Sequence, residues 1–241
     1  MEPPAQPAHA ALESTSPAMR GALRVLATVA PHDVPVLFLG ESGSGKSTLA
    51  RVLHATSPRR ERPFVAIDCL ELSGGLPVVR VLPDRIAGAD GGTLLFEEIA
   101  ALPESLQAGV LALFEPRGAE ARRVGVRVVA TSRRDLDAEV RAGRFREDLL
   151  SRLDLVEVRV PPLRERPEDI LPLASSFLAA FAPMMGVSAP TLTSAAQQVL
   201  LAHAWPGNVR ELRNAMQHAV VVARGPILDV EALPMRFWRG R

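Results

Sequence analysis

A glycine-rich segment near the N-terminus has the residue types and the spacing that bind a triphosphate. The glycines allow backbone N–H groups to turn toward phosphate oxygens, the ammonium of Lys46 bridges the β- and γ-phosphates, and the Ser47 hydroxyl is a ligand for Mg²⁺. An ordinary Gly/Ser turn is the alternative. The pattern therefore predicts a site for ATP and Mg²⁺ on Gly40, Glu41, Ser42, Gly43, Ser44, Gly45, Lys46, Ser47 and Thr48.

The composition singles out one residue of this segment. The chain has 28 lysine and arginine residues, and Lys46 is the one lysine among them. Arginine serves well in surface ion pairs, but its planar fork cannot replace a compact ammonium that meets phosphate as a point charge. Lys46 is therefore predicted to be chemically indispensable.

A pair of carboxylates, Glu97 and Glu98, follows the apolar run at 93–96. In nucleotide hydrolases with this kind of phosphate loop, one carboxylate at a strand end holds the Mg²⁺ shell and the next polarises the attacking water. We assign Glu97 to the metal and Glu98 to the water. A solvated strand end is the alternative, and the upstream phosphate-binding pattern favours the catalytic interpretation.

Two arginines, Arg146 and Arg152, lie in the segment 143–153. Their separation corresponds to about 600° on a helix, so they need not share one face. Both can still reach the γ-phosphate of a neighbouring subunit, as trans-acting arginine fingers do. A helix covered with solvated ion pairs is the alternative interpretation.

The order of predicted elements places these groups on an α/β scaffold. Short apolar runs without strict polar alternation are typical of strands buried on both faces. We expect strands at 34–39, 64–67, 93–96, 126–130 and 155–160, and helices at 16–30, 47–55, 106–114 and 136–142. After Pro161 we expect only helices, at 167–181, 193–204 and 206–223. The predicted fold class is a three-layer α/β P-loop NTPase with a parallel sheet and a small all-helical C-terminal lid.

Composition and charge set wider limits. The 28 basic and 27 acidic residues nearly cancel, so charge does not indicate a polyanion-binding surface. The single cysteine, Cys69, excludes an internal disulfide, and the first residues lack the pattern of a signal peptide. Because no apolar run approaches the roughly 20 residues that span a membrane, we expect a soluble, cytoplasmic protein. The expected organisation is a flexible tail at 1–13, a nucleotide-binding subdomain at 14–163, a helical lid at 164–235 and a tail at 236–241.

Five separated motifs indicate a family. They are Ser-Pro-Ala-Met-Arg at 16–20, Gly-Gly-Thr-Leu at 91–94, the segment 143–153, Pro-Pro-Leu-Arg-Glu-Arg at 161–166 and Trp-Pro-Gly-Asn-Val-Arg-Glu-Leu at 205–212. In this order they resemble the AAA+ ATPase domain of bacterial sigma-54-dependent transcription activators, over about 14–233. The resemblance implies a ring-forming ATPase, usually hexameric, that acts on the transcription machinery or on a regulatory protein. It also implies that Arg146 and Arg152 are paired arginine fingers and that Arg210 is the lid arginine that senses the γ-phosphate.

Three positions depart from the pattern of that family. Glu97 stands where the family has a metal-side aspartate, and Asp68 stands where it has an asparagine that restrains the catalytic glutamate. Arg133, beside Ser132, takes the place of the first sensor asparagine. The extra methylene of Glu97 moves a carboxylate by about 1 Å, and such a misplacement can cost on the order of a hundredfold in rate. We therefore expect slow hydrolysis.

Parts of the family pattern are also missing. Only about twenty residues separate Cys69 from Gly91, and they do not include the Gly-Ala-Phe-Thr-Gly-Ala loop with which family members touch the sigma factor. The segment 122–127 runs straight into a predicted strand, so a second pore-facing insertion is trimmed as well. We therefore expect no direct remodelling of sigma-54 polymerase. Because the chain ends soon after the predicted lid, we also expect no DNA-binding domain on it.

Three functions follow from these observations. The main hypothesis is an AAA+ ATPase module of a transcription regulator, in which the ATP cycle drives oligomerisation or a conformational output rather than sigma-54 contact. The altered positions 68 and 133 favour a second one, a nucleotide-gated oligomerisation scaffold that barely hydrolyses ATP. A small-molecule kinase is the third, because such kinases share the sequence Gly-Ser-Gly-Lys-Ser-Thr found at 43–48. The helical second domain and the 205–212 motif argue against it.

Overall fold

The computed structural model describes residues 14–72, 78–114, 125–223 and 225–237. The chain divides into a sheet unit, Ala22–Gly40 with Lys46–Val160, and a lid unit, Met1–Gly21 with Glu41–Gly45 and Pro161–Arg241. The predicted tail at 1–13, residues 238–241 of the predicted C-terminal tail and residues 122–124 of the predicted trimmed insertion lie outside the described residues.

Five parallel strands form the centre of the sheet unit. In the spatial order β2-β3-β4-β1-β5 they are β1 (Val36–Leu39), β2 (Phe64–Asp68), β3 (Thr93–Glu97), β4 (Arg127–Ser132) and β5 (Glu157–Arg159). Each lies within a few residues of a predicted strand, so the predicted parallel sheet is confirmed. Because all strands run in the same direction, the residues that follow β1, β3 and β4 meet at one edge of the sheet.

Helices alternate with these strands. They are α1 (Pro17–Val29), α2 (Lys46–Ala55), α3 (Cys69–Leu72), α4 (Val78–Gly88), α5 (Glu104–Leu111), α6 (Leu136–Arg141) and α7 (Glu147–Leu153). The sequence pattern did not predict α4, which contains Pro83, a residue that usually ends a helix. The predicted helix at 106–114 is α5 followed by a 3₁₀ turn, Ala112–Phe114. Among the described helices, none has both the length and the apolar character that crossing a bilayer requires.

The lid unit contains the helices α8 (Ile170–Phe181), α9 (Ser194–Ala202) and α10 (Asn208–Val222). The predicted helical lid is confirmed, with one addition, a short parallel pair formed by β6 (Thr191–Leu192) and β7 (Ile227–Leu228). The predicted helix start at Pro206 is wrong, because α10 begins at Asn208. Trp205 and Asn208 have left-handed φ values of 51° and 53°, so the chain turns sharply on both sides of Pro206.

Trp205 is the centre of the lid core. Its side chain is fully buried, and the indole N–H donates to the carbonyl oxygen of Leu200 at 2.9 Å. The rings of His203 and Phe237 pack against it with centroid distances of 4.7 and 5.3 Å. The indole ring is buried and its one polar atom is hydrogen-bonded. This favourable packing offsets the cost of the left-handed backbone at Trp205.

Arg127, the first residue of β4, joins this strand to the end of α1. Its side chain is only 2% exposed and donates to the carbonyl oxygens of Val29, Ala30 and Val34 at 2.9, 3.1 and 3.2 Å. Burial lowers the pKa of the guanidinium. The carbonyl groups at the end of a helix carry partial negative charge, which offsets the cost of burying this cation.

We expect Arg127→Met to lower the free energy of unfolding by about 2 to 4 kcal/mol, because the methionine fills the space but leaves buried carbonyl groups without donors. Urea unfolding monitored by circular dichroism measures this change. The matched control is Arg141→Met at an exposed arginine of α6, which should change stability by less than about 0.5 kcal/mol. Equal losses in the two variants would contradict the role of Arg127.

Candidate nucleotide-binding site

The glycine-rich loop leaves β1 at Gly40 and ends where α2 begins at Lys46. Gly43 and Gly45 have φ values of 75° and 109°, which favour glycine over every other residue. A Cβ atom on Gly43 would lie 2.4 Å from the carbonyl oxygen of Gly207, within the lid unit, so a side chain is excluded there. The first N–H groups of α2 have no acceptors within the helix, and a helix start of this kind binds anions.

Lys46 places a buried ammonium at this helix start. The residue is 5% exposed, and its Nζ donates to the carbonyl oxygen of Gly40 at 2.8 Å. Oε1 of Glu98 lies 3.4 Å from the same atom. A buried ammonium is tolerated only when acceptors surround it, so these contacts within the sheet unit stabilise the charge.

Glu97 and Glu98 stand at the end of β3, as the sequence predicts. Glu98 has a left-handed φ of 52°, and its backbone N–H donates to the hydroxyl of Thr131 at 3.1 Å. Its Oε2 accepts from the backbone N–H of Arg133 at 3.1 Å and lies 3.7 Å from Nε of the same residue. The Glu98 carboxylate therefore lies between two cations, Lys46 and Arg133.

The protein oxygens at the carboxyl ends of the strands suit Mg²⁺ only together with phosphate oxygens. Ser47, in the first turn of α2, and Glu97, the last residue of β3, are both partly exposed. In the part of the chain that the structure describes, no group of three or more His, Cys, Asp and Glu residues could hold a metal by itself. Mg²⁺ commonly uses one or two protein oxygens and completes its shell with water and phosphate. The donor set therefore suits Mg²⁺ that arrives with a nucleotide.

Within the lid unit, Glu41 of the loop is held by two residues from elsewhere in the chain. Arg164 donates to both carboxylate oxygens at 2.8 and 2.7 Å, and the Asn208 amide donates at 3.0 Å. These hydrogen bonds, that of Arg164 foremost, lower the pKa of Glu41 to about 2. Glu41 is thus a carboxylate at any neutral pH and anchors the loop rather than titrating.

Asn208 is fully buried, and both the amide N–H₂ group and the Oδ1 atom of its side chain form hydrogen bonds. Besides Glu41, its amide donates to the carbonyl oxygen of Ser42 at 3.1 Å, and its Oδ1 accepts from the N–H of Leu163 at 2.7 Å. Sequence reasoning assigns no role to Arg164 or Asn208. Their one signal is that each stands inside a motif that resembles the family pattern.

Two further arginines of the lid unit contact the loop. Arg210 donates to the Ser42 hydroxyl at 2.9 Å, and its backbone N–H donates to the carbonyl oxygen of Gly43 at 3.3 Å. Arg166, which is 5% exposed, donates to the carbonyl oxygen of Ser44, and burial lowers the pKa of its guanidinium. The structure thus brings Arg210 to the loop; its action on the γ-phosphate stays a prediction.

Arg146 and Arg152 lie at opposite ends of α7. Arg146 precedes the helix, and its guanidinium donates to both oxygens of Asp148 at 2.9 and 2.7 Å. Its backbone N–H donates to the buried Gln107 at 2.8 Å, which fixes the backbone there. Arg152 lies in the last turn and is exposed. An exposed ion pair such as Arg146–Asp148 stabilises little, so both guanidinium groups are available at the surface.

Comparison with known proteins identifies the family. Residues 14–163 match the Sigma-54 interaction domain family, and residues 164–241 match the AAA+ ATPase lid domain family. The response regulator protein FleR of Pseudomonas aeruginosa is 43% identical over 235 residues, covering 88% of this chain and 49% of FleR. The alginate biosynthesis transcriptional regulatory protein AlgB of the same organism is 41% identical over 242 residues, covering 92% and 54%. The chain spans about half the length of these curated relatives.

Solved structures agree with the fold. The ADP complex of NtrX from Brucella abortus superposes with a TM-score of 0.78 at 30% identity, covering 95% of this chain and 57% of NtrX. Its ATP complex gives 0.77 at 31% identity, covering 93% and 56%. With a matching family over most of its length and the sheet and lid described above, the chain belongs to the Sigma-54 interaction domain family of AAA+ ATPases.

Proposed function

We propose that this chain is the ATPase module of a transcription regulator, which binds ATP·Mg²⁺ on residues 40–48 and couples ATP binding and hydrolysis to self-assembly. One observation carries the proposal. Lys46, the chain's one lysine, lies buried at the first residue of α2, directly after a glycine loop that requires positive φ values. A helix start and an ammonium at the same place create a strongly positive potential that selects a polyanion.

The proposal gives each group a binding role. Backbone N–H groups of the loop and of the start of α2 would hold the phosphates, Lys46 would meet the β- and γ-oxygens, and the Ser47 hydroxyl and Glu97 would hold Mg²⁺. Mg²⁺ supplies neutralisation of the charge on the transferred phosphoryl group. The contact of Arg210 with Ser42 supports a response of this arginine to the γ-phosphate. The NtrX complexes with ADP and ATP support nucleotide binding in a relative of the same fold.

Hydrolysis requires a group that takes the proton of the attacking water, and we assign it to Glu98. When phosphate oxygens replace Glu98 as the acceptor of Lys46, one carboxylate oxygen becomes able to accept from water. The other oxygen remains bound to the backbone N–H of residue 133, which keeps the side chain at the sheet edge. Glu98 therefore gains its catalytic freedom from nucleotide binding itself.

Assembly supplies the remaining charge. Arg146 and Arg152 are exposed, and they contact a neighbouring subunit's γ-phosphate in the ring that the family resemblance implies, usually a hexamer. The short segment between Cys69 and Gly91 lacks the sigma-contacting loop, which supports an output through assembly or another regulatory partner rather than direct remodelling of sigma-54 polymerase. The name of AlgB, a transcriptional regulatory protein, supports transcription regulation as the process.

A scaffold that holds ATP without turning it over is the second candidate. The observation in its favour is that Arg133 approaches Glu98, at the position where the family has an asparagine. A cation beside the catalytic carboxylate competes with water for it. A turnover number that stays at the buffer background over all protein concentrations, together with ATP-dependent assembly, would establish this alternative.

We expect Lys46→Ala to weaken ATP binding by about 10- to 100-fold, because each charge-assisted contact to phosphate contributes about 1.5 to 3 kcal/mol. Isothermal titration calorimetry with ATP and with ADP, both in Mg²⁺, measures the loss. Arg51→Ala is the matched control, since Arg51 is an exposed cation on the same helix. Binding that is unchanged in Lys46→Ala would remove the basis of the proposal.

We expect ATP turnover per subunit to rise with protein concentration, because the arginine fingers act between subunits. Arg146→Gln should lose about tenfold or more in turnover while binding ATP normally. Mixing it with Glu98→Gln should restore activity, because at some interfaces an intact Glu98 then faces an intact arginine. Arg141→Gln, at an exposed arginine of α6, should behave as wild type. Mixtures no more active than the average of their components would exclude trans-acting fingers.

A further inference from the structure

The Glu98 carboxylate needs a donor that survives nucleotide binding. Lys46 is one of its two cationic neighbours, at 3.4 Å, but under the proposed function this ammonium turns to the phosphates. Among the described residues, the other contacts of this carboxylate come from Arg133, its backbone N–H at 3.1 Å and its Nε at 3.7 Å, both to Oε2. These contacts can set the direction of Glu98 during hydrolysis.

Asp68, the position from which the family resemblance implies restraint of the glutamate, cannot provide it. It is the last residue of β2, and its Oδ1 accepts from the N–H of Leu70 at 2.8 Å. An ionised aspartate has acceptors only, whereas an asparagine also has an N–H₂ donor. A carboxylate at position 68 therefore has no donor for the Glu98 carboxylate, whereas an amide would have one.

The end of β4 is built to hold Arg133 in place. The Ser132 hydroxyl donates to the carbonyl oxygen of Arg134 at 2.8 Å and accepts from its N–H at 3.1 Å, which closes a tight turn around residue 133. The carbonyl oxygen of Ser132 accepts from the N–H of Gly40 at 3.2 Å, which ties this turn to the start of the phosphate loop. The Arg133 backbone therefore has little freedom, and its side chain is 47% exposed.

Glu98 approaches this turn because of its own backbone. With φ at 52° the chain leaves the strand conformation at Glu98, and the N–H of Glu98 is held by Thr131 on β4. A residue other than glycine adopts this conformation only where the surroundings impose it. The backbone of Glu98 is thus fixed by Thr131 of β4, and its side chain is fixed by residue 133, which directly follows this strand.

We infer that Arg133 is a positioning residue for Glu98, doing from β4 what the family resemblance assigns to position 68 on β2. This inference rests on the proposed function. The guanidinium neither contacts the nucleotide nor binds the water. It holds the oxygen Oε2 so that Oε1, released by Lys46, faces the attacking water. Because the backbone N–H remains in any variant, the side chain accounts for only part of the alignment, and its loss is expected to be moderate.

The expected effect of Arg133→Gln is a fall in kcat of about tenfold with KM for ATP and ATP affinity unchanged within about twofold, since sub-ångström misalignment of a catalytic group affects the chemical step. Arg133→Lys keeps a cation within reach of Oε2 and should recover most of the lost turnover. Arg134→Gln is the matched control, because that arginine is equally exposed but lies 3.8 Å from Glu139 instead. It should leave kcat unchanged.

A double-mutant cycle with Glu98→Gln separates positioning from a general structural effect. Measured in single turnovers with labelled ATP, Arg133→Gln should cause no further loss when Glu98 is already glutamine. Equal losses in both backgrounds, a loss in ATP affinity instead of kcat, or no change in Arg133→Gln would each overturn the inference while the proposed function stands. Wild-type protein that hydrolyses ATP no faster than Glu98→Gln would overturn both.

Discussion

A buried ammonium at the beginning of a helix is the interaction on which the site depends. The partial positive charge of a helix N-terminus disfavours a cation there, and burial at 5% exposure adds a desolvation cost. Lys46 is stable in this position because a backbone carbonyl of Gly40 and the carboxylate of Glu98 face it. The same arrangement places an ammonium beside a helix start, and such a place favours an anion. Under the proposed function a triphosphate is this anion, and its oxygens replace Glu98 at Lys46.

Each of the two units has its own set of hydrogen bonds around the loop. In the sheet unit, the strand order β2-β3-β4-β1-β5 puts β4 between β1 and β3, so that residues 131–133 can bind both Gly40 and Glu98. In the lid unit, the loop backbone is bound by donors from Asn208, Arg210 and Arg166. These contacts satisfy the carbonyl oxygens of Ser42, Gly43 and Ser44, while the N–H of Ser44 donates to the carbonyl oxygen of Glu41 at 3.3 Å. The loop is therefore preorganised for an anion, and little ordering is required when a nucleotide binds.

The sequence predicts well the features that depend on residues close together in the chain. The phosphate loop is one continuous motif, and buried parallel strands produce apolar runs such as 93–96, so the α/β fold and the positions of Lys46, Glu97 and Glu98 follow directly. Helix α4 was missed because Pro83 lies inside it, and the strands β6 and β7 are too short to show a period. The contacts of Glu41 with Arg164 and Asn208 join residues 123 and 167 positions apart, and no sequence pattern specifies such a pairing. The contact of Arg133 with Glu98 likewise exists only because strands β3 and β4 are neighbours.

The departures at positions 68 and 133 make physical sense as a pair. Relative to two asparagines, aspartate at 68 removes a donor and adds a negative charge, and arginine at 133 adds donors and a positive charge. The net charge of the site stays the same, while the donor facing the catalytic carboxylate moves from β2 to β4. The Arg133 guanidinium lies 3.7 Å from Oε2, so it adds electrostatic attraction to the hydrogen bond from the backbone N–H at 3.1 Å rather than a second hydrogen bond. Under the proposed function, Oε2 stays on this side while Oε1 leaves Lys46 for water. The same contact can therefore align the carboxylate without occupying the oxygen that acts.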